Sequence, residues 1–492
     1  MAVVTVKKAL IGKEDISYGN GTFSRATSTG GTQNITKLST GVEVFNVKDY
    51  GALGDGTTDD STAMQAALTA GAGKRVYLPA ATYIITTGLT IEDGTTVHGD
   101  GYSSILKASG ATAFNGLNNT DTTNGDDDIT IEDLTVDMDA TTRSVTHDAS
   151  CIRIESDTSN RCDRLQIRRV RAVNSPFSGI HVKNIKHSRI EDCLIDTPLR
   201  DGIVVYRNSE YVSLVGNIVV EAGDDCIGIN SEVGATSSTV CKHISVVGGV
   251  YEQASGSTQG GGITITGGEN ITVTGAVVNF SQGAGIKVDD STVSATVPLR
   301  VTVTGNTLYD NGSSASGAGG IHLTNADSAV VTGNVIENQY QHGIQLSNSK
   351  AHVSGNRIDA GTNTSGSGIY VGGASADGSV IEGNSIFNVQ VHGINIAANG
   401  AHVANNLIWK CAAQNTAGTQ AIKVDGAVDD VTVIGNRMIR DAAATNNANG
   451  ISLSSTTTAC YLHGNYTVGW GTAGVADGSS GTNTLSDNEE LT

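Results

Sequence analysis

One alternation of polar and apolar positions dominates the chain. A small or polar residue, a glycine or its equivalent, Ile, a polar residue and an aliphatic residue follow one another at 178–182, 201–205, 225–229, 261–265, 284–288, 319–323, 342–346, 367–371, 392–396, 420–424 and 449–453. The steps between the central isoleucines are 23, 24, 36, 23, 35, 23, 25, 25, 28 and 29 residues. Alternation with period two makes each copy a strand that buries one side. Its return at a nearly fixed step is the mark of a stacked β-solenoid. A second motif, an aliphatic residue two places before Gly-Asn, recurs at Gly216-Asn217, Gly305-Asn306, Gly333-Asn334, Gly355-Asn356, Gly383-Asn384, Gly435-Asn436 and Gly464-Asn465. Both residues tolerate left-handed backbone angles and suit a tight corner. Asn side chains at equivalent corners can also stack into a hydrogen-bonded ladder. Two strand motifs per 23–25 residues leave room for a third, which predicts an all-β, three-faced, right-handed parallel β-helix. Ten steps at an interstrand spacing of ~4.8 Å make roughly 48 Å of stack.

The pattern differs at both ends. Residues 1–43 are rich in Gly, Ser and Thr and read as an extended N-terminal arm. Over 44–85 a helix is expected from Thr58–Asp60, with Ala63, Met64, Ala66, Ala67 and Leu68 on its apolar face and Gly71 and Gly73 ending it. The strands Arg75-Val76-Tyr77-Leu78 and Tyr83-Ile84-Ile85 follow. Laid across the first coil, such a helix would cap an open strand edge. The β-helix is then expected over 86–470, with a polar C-terminal tail at 471–492. The two long steps insert material near 231–242, 290–297 and 311–318, and loops on a rigid stack are where binding function concentrates.

Composition narrows the function. The chain has 62 Gly and only 4 Pro, and aromatics are 4%, which suits many sharp turns and thin aliphatic strands. The formal charge of −19 excludes ordinary nucleic-acid binding. It also opposes tight binding of a polyanionic sugar unless a local basic groove or cation reverses the sign. The seven cysteines form no CxxC pair and read as buried filler. The N-terminus lacks the apolar core of a secretion signal, and no run reaches the ~18–20 apolar residues of a membrane span.

The segment Val47-Lys48-Asp49-Tyr50-Gly51-Ala52-Leu53-Gly54-Asp55-Gly56, the Asp59-Asp60 pair, the helix and Val76-Tyr77-Leu78-Pro79 resemble the entry segment of the pectate-lyase-like superfamily, in the form common to phage tailspikes. Gly223-Asp224-Asp225-Cys226-Ile227 and Arg200-Asp201-Gly202 resemble the aspartate motifs of polygalacturonase-type glycoside hydrolases. That resemblance implies Asp201, Asp224 and Asp225 as catalytic residues. Asp225 would be the general acid; Asp201 and Asp224 would bracket the scissile bond and hold the water.

The spacing independently stacks these aspartates on neighbouring coils, where crowding raises carboxyl pKa values and yields an acid beside a base. Family ligands for a sugar carboxylate are missing: Gly260-Gly261-Gly262 replaces Gly-His-Gly, Gly285 replaces the Arg before Lys287, and Leu199-Arg200 replaces Asn-Thr. Lys287, Arg200 and Tyr206 are the candidate substrate-binding residues. The plainer alternative pairs Arg200 and Arg207 with Glu210 or Glu221 on the surface.

His181, His322, His342 and His392 recur beside the motif, but not on consecutive coils at one register. Neither they nor the run Asp126-Asp127-Asp128 is expected to hold a metal, and no cofactor is expected. The resemblance implies a phage or prophage tailspike that binds and hydrolyses a bacterial surface polysaccharide. It would be a homotrimer attached to a virion by its N-terminal arm, located on the virion or outside the cell, without nucleic acid or membrane insertion. A monomeric polygalacturonase-like hydrolase and a non-catalytic adhesive spike are the alternatives.

Overall fold

Stacking demands that equivalent residues of successive coils lie directly over one another, and the repeat isoleucines do. Ile180, Ile203, Ile227, Ile263, Ile286, Ile321, Ile344, Ile369, Ile394, Ile422 and Ile451 pair in unbroken parallel register. All are buried. Variable spacing between copies therefore leaves the register untouched. The computed structural model describes residues 43–491 except 111, 140–148, 158–159, 232–238, 255–259, 291–296, 315, 362–365, 412–418, 441–448, 471–472 and 480, together with three strands within 16–36. Most of the insertions expected at 231–242 and 290–297 thus lie outside the described residues.

The molecule is a right-handed parallel β-helix of about 15 turns. Its first face is a 15-stranded parallel sheet from Leu89–Ile91 to Val475–Asp477. The other two faces join into one 33-stranded sheet. One runs through Glu210–Val215, Lys242–Val247 and Glu269–Thr274; the other runs through Ile218–Val220, Val250–Glu252 and Val277–Asn279. The core is a continuous aliphatic column down the axis. The seven cysteines are buried in this interior as free thiols.

The Gly-Asn corners behave as their chemistry requires. Gly305, Gly333, Gly355 and Gly383 all sit at φ near +60°, open to glycine and costly to β-branched residues. The following asparagines form a buried ladder. Asn306 Nδ2 donates to Asn334 Oδ1 at 2.9 Å, and the pattern repeats through Asn356, Asn384, Asn406, Asn436 and Asn465 to Asn488. Each Nδ2 also donates to a main-chain carbonyl, as Asn384 does to Val353 O. A polar group that would be costly inside the stack is thereby satisfied on every coil. The ladder carries the stack past residue 470, and the strands Thr484–Ser486 and Glu489–Leu491 continue it.

The helix α1 spans Ser61–Ala70 and buries Met64, Ala67 and Leu68 among core residues. The Asp60 side chain does not cap it. That carboxylate accepts from Leu53 N at 2.6 Å and Gly54 N at 3.0 Å, tying down the preceding loop. Residues 1–44 and 45–492 are two separate compact units. In the first, Ile16–Gly19, Thr22–Ala26 and Thr32–Thr36 form an antiparallel three-stranded sheet.

Candidate active site

Residues two positions before each repeat isoleucine form a column at the entry to the first face. Gly202 N donates to Asp225 O at 2.9 Å and Cys226 N to Gly261 O at 3.1 Å, so Asp201, Asp225 and Gly261 are stacked on successive coils. The register therefore pairs Asp201 with Asp225. Asp224 lies over Arg200, whose carbonyl accepts from Asp224 N at 3.0 Å. Each carboxylate reaches along the stack: Asp225 N donates to Asp201 Oδ1 at 3.3 Å, and Gly261 N donates to Asp225 Oδ1 at 2.7 Å. Thr264 Oγ1 donates to the same Asp225 oxygen at 2.6 Å. Asp225 Oδ2 is turned toward Gly228, where a Cβ would stand 3.9 Å from it and 3.0 Å from Asn230 Nδ2. Gly228 is buried, and a side chain there would press on Asn230 beside the carboxyl.

Glycine at 202 has a different reason. A Cβ there would lie 2.3 Å from Val219 Cγ1 and 2.4 Å from Cys226 O. No side chain fits where the chain turns from Asp201 into the strand.

Burial and mutual repulsion set the protonation of the pair. Asp201 is buried and its pKa is pushed up to about 6, by burial first and the Asp224 charge second, with Arg200 opposing. Burial, then the Asp201 charge, pushes Asp225 up to about 7. The Asp201 charge raises Asp225, so between about 6 and about 7 Asp225 keeps its proton while Asp201 is ionised. That is an acid and a base on one face.

Arg200 does not pair with Glu210 or Glu221. Its Nε lies 3.5 Å from Asp201 Oδ2 and 3.8 Å from Asp224 Oδ2, and its guanidinium rests over the Phe177 ring. Glu210 is taken by Arg161. Phe177, His181 and Tyr206 make successive ring contacts near 6 Å and wall one end of the site. Tyr206 thus stands at the far end of the strand that Asp201 enters, in register with Asn230. Lys287 stands two coils beyond Gly228, ~10 Å along the same outward column, with Nζ 3.0 Å from Asp289 Oδ2. Sequence reasoning overlooked Phe177, Thr264, Asn230 and Gly228. Aligning the repeat copies would have found Thr264 and Gly228, since both occupy the position after the repeat isoleucine; Phe177 carries no such signal.

Of the other acidic residues, Asp128 binds Arg164 Nε at 2.6 Å, and Asp126 accepts from Asp121 N at 2.6 Å. Among the described residues, His98, Glu132 and Asp133 form a cluster with metal-ligand geometry. Arg75, Arg168 and Arg169 already neutralise its carboxylates.

Residues 44–250 match the family described as rhamnogalacturonase A/epimerase, pectate lyase-like, and residues 253–408 match the right-handed β-helix region. A stretch of 53 residues is 53% identical to mannuronan C5-epimerase AlgE3 of Azotobacter vinelandii, covering 10% of this chain and 3% of that enzyme. A 53-residue match to alginate lyase 7 of the same organism is 49% identical and covers 10% of this chain and 6% of that enzyme. The chain thus spans only a small part of the curated relatives it matches. The enzymatically active domain of tailspike protein 2 of bacteriophage CBA120 superposes with a TM-score of 0.50 at 17% identity, over 69% of this chain and 50% of that one. At that identity the likeness concerns the fold. The chain is a right-handed parallel β-helix, pectate-lyase-like over 44–250 and matching the general β-helix region over 253–408.

Proposed function

We propose that this protein binds and hydrolyses a polysaccharide, in the manner of a phage tailspike acting on a bacterial surface glycan. The observation that carries the reading is the stacking of Asp201 and Asp225 in one register, both with raised pKa values, with Arg200 and Asp224 beside them. Asp225, the weaker acid, donates its proton to the leaving glycosidic oxygen. Asp201, ionised at a lower pH, takes the proton of the attacking water. Asp224 and Arg200 set the charge around the pair, and Arg200 over Phe177 forms the wall against which a sugar ring rests. Asp201 and Asp225 serve as the acid–base pair because those two share the register, with Asp224 beside them over Arg200.

The protein would act as a homotrimer, with residues 1–43 serving attachment to a virion. Among the described residues no helix is long and apolar enough to cross a membrane. Wild type should release reducing ends from a susceptible capsule or O-antigen, and Asp225→Asn should lower the rate about 10²–10⁴-fold. Equal rates from both proteins would reject the carboxylate site.

A further inference from the structure

The first face has a charge pattern that constrains its ligand. Eight of its strands, from Ile203–Tyr206 to Ile394–Ala397, carry a single ammonium, Lys287. It is paired with Asp289 at 3.0 Å. The turns entering these strands add one more cation, Arg200, held between Asp201 and Asp224. Within these strands and entering turns two cations thus face four carboxylates; Arg207, at the exit of the first strand, and Lys183, in register with Tyr206 one coil before, lie beside Asp157. Residues 232–238, 255–259, 291–296 and 362–365 contain no Lys or Arg. At the far end, Lys423 is paired with Asp425 at 2.7 Å. A polyanionic chain laid here would lose its hydration without finding a cation to replace it.

The same face is well supplied with neutral hydrogen-bonding groups. The outward column beyond Lys287 reads His322, Gln345, Tyr370 and Asn395. His342 and His392 stand in the column of Asp201 and Asp225. Ser367 N donates to His342 Nδ1 at 2.9 Å, and Gln420 N donates to His392 Nδ1 at 3.1 Å. Each neutral ring must then carry its proton on Nε2, as a donor. Burial holds His322, His342 and His392 down to about 4, so all three are uncharged at neutral pH. The Tyr370 ring stacks on His342 at 5.1 Å. Its hydroxyl fills the space over Gly372, where a Cβ would come within 2.3 Å of it. Asn395 Oδ1 is buried and accepts no hydrogen bond.

Resting on the hydrolase reading above, we infer that the substrate is an uncharged polysaccharide, lying along the first face from the Asp225 coil to the Tyr370 coil. Those coils are five steps apart, ~24 Å. Neutral donors and a stacked ring hold hydroxyls and the apolar face of a sugar, and they need no counter-charge.

The test uses the full chain against a panel of uncharged hexans, alginate and polygalacturonate. Cleavage is followed as reducing ends with wild type, and binding is followed with Asp225→Asn. The expected result is binding and cleavage of an uncharged member, with a KM that barely moves between low and high salt. Asp289→Asn, which releases Lys287, should add salt-sensitive binding to alginate. Preference of wild type for alginate or polygalacturonate, with a KM that rises steeply with salt, would overturn the inference and leave the hydrolase reading standing. Failure of Asp225→Asn to bind any polymer, with no cleavage by wild type, would overturn both.

Discussion

At the residue scale, two carboxyls at the same register differ through what surrounds them. Asp225 is half-buried and accepts two hydrogen bonds on Oδ1, whereas Asp201 is more buried and faces Arg200. With values near 6 and 7, the protonation state needed for hydrolysis, one carboxyl ionised and one not, is most populated between them. The profile of kcat/KM against pH should be a bell with its maximum at about 6–7 and should fall on both sides. A flat profile from pH 5 to 9 would contradict the pairing.

The same shifts affect stability. Both folded values lie above the unfolded 3.8, so the unfolded chain releases these protons first. Stability is therefore lost as pH rises from about 4 through about 7, and is unaffected by these groups below that window. Asp225→Asn should raise Tm by ~1–3 °C at pH 8 and leave it unchanged at pH 4, as scanning calorimetry would read. The stacking of the candidate aspartates was legible because Asp201 and Asp225 occupy the same place in two copies of one motif. Arg200's partners were not: adjacency in sequence to Asp201 hides that Asp224 lies directly over it on the next coil.

At the element scale, the Gly-Asn corner is the unit that repeats most faithfully. Asn384 Nδ2 donates to Val353 O and to Asn406 Oδ1, while Asn384 Oδ1 accepts from Asn356 N and Nδ2. Asn384→Ala would leave buried donors and acceptors on two neighbouring coils without partners. A loss of roughly 1–3 kcal/mol is expected, measured as a lower midpoint in chemical denaturation. Gly202→Val should do worse than that, because Val219 and the Cys226 carbonyl already occupy the space. The corners and the repeat strands were readable because both rest on local rules: period-two alternation and left-handed backbone. The fate of Asp60 was not, since a carboxylate at a helix start has a choice between the helix and the preceding loop. Here Leu53 and Gly54 won.

At the scale of the whole molecule, the stack has few contacts between distant coils, so each turn depends on its neighbours. The trimer proposed above would relieve that dependence. Light scattering should give about three times the chain mass of 50.4 kDa; a monomer at micromolar concentration would refute the assembly. The β-helix itself was fully legible, as the eleven isoleucines stand in one column. The long-step insertions were legible only as extra length, because nothing in their composition fixes a pairing partner.

The seven buried cysteines have a practical consequence. Burial pushes the Cys151, Cys162, Cys193, Cys241 and Cys411 thiols up to about 12 and raises Cys226 further. Cys460 is raised as well. A thiol that neither ionises nor meets solvent cannot be alkylated until its own coil opens. The positions 151, 162, 193, 226, 241, 411 and 460 are therefore seven native timers distributed along the rod. Mass spectrometry of iodoacetamide-treated protein would read the opening rate coil by coil, with Cys226 reporting on the turn that carries the acid.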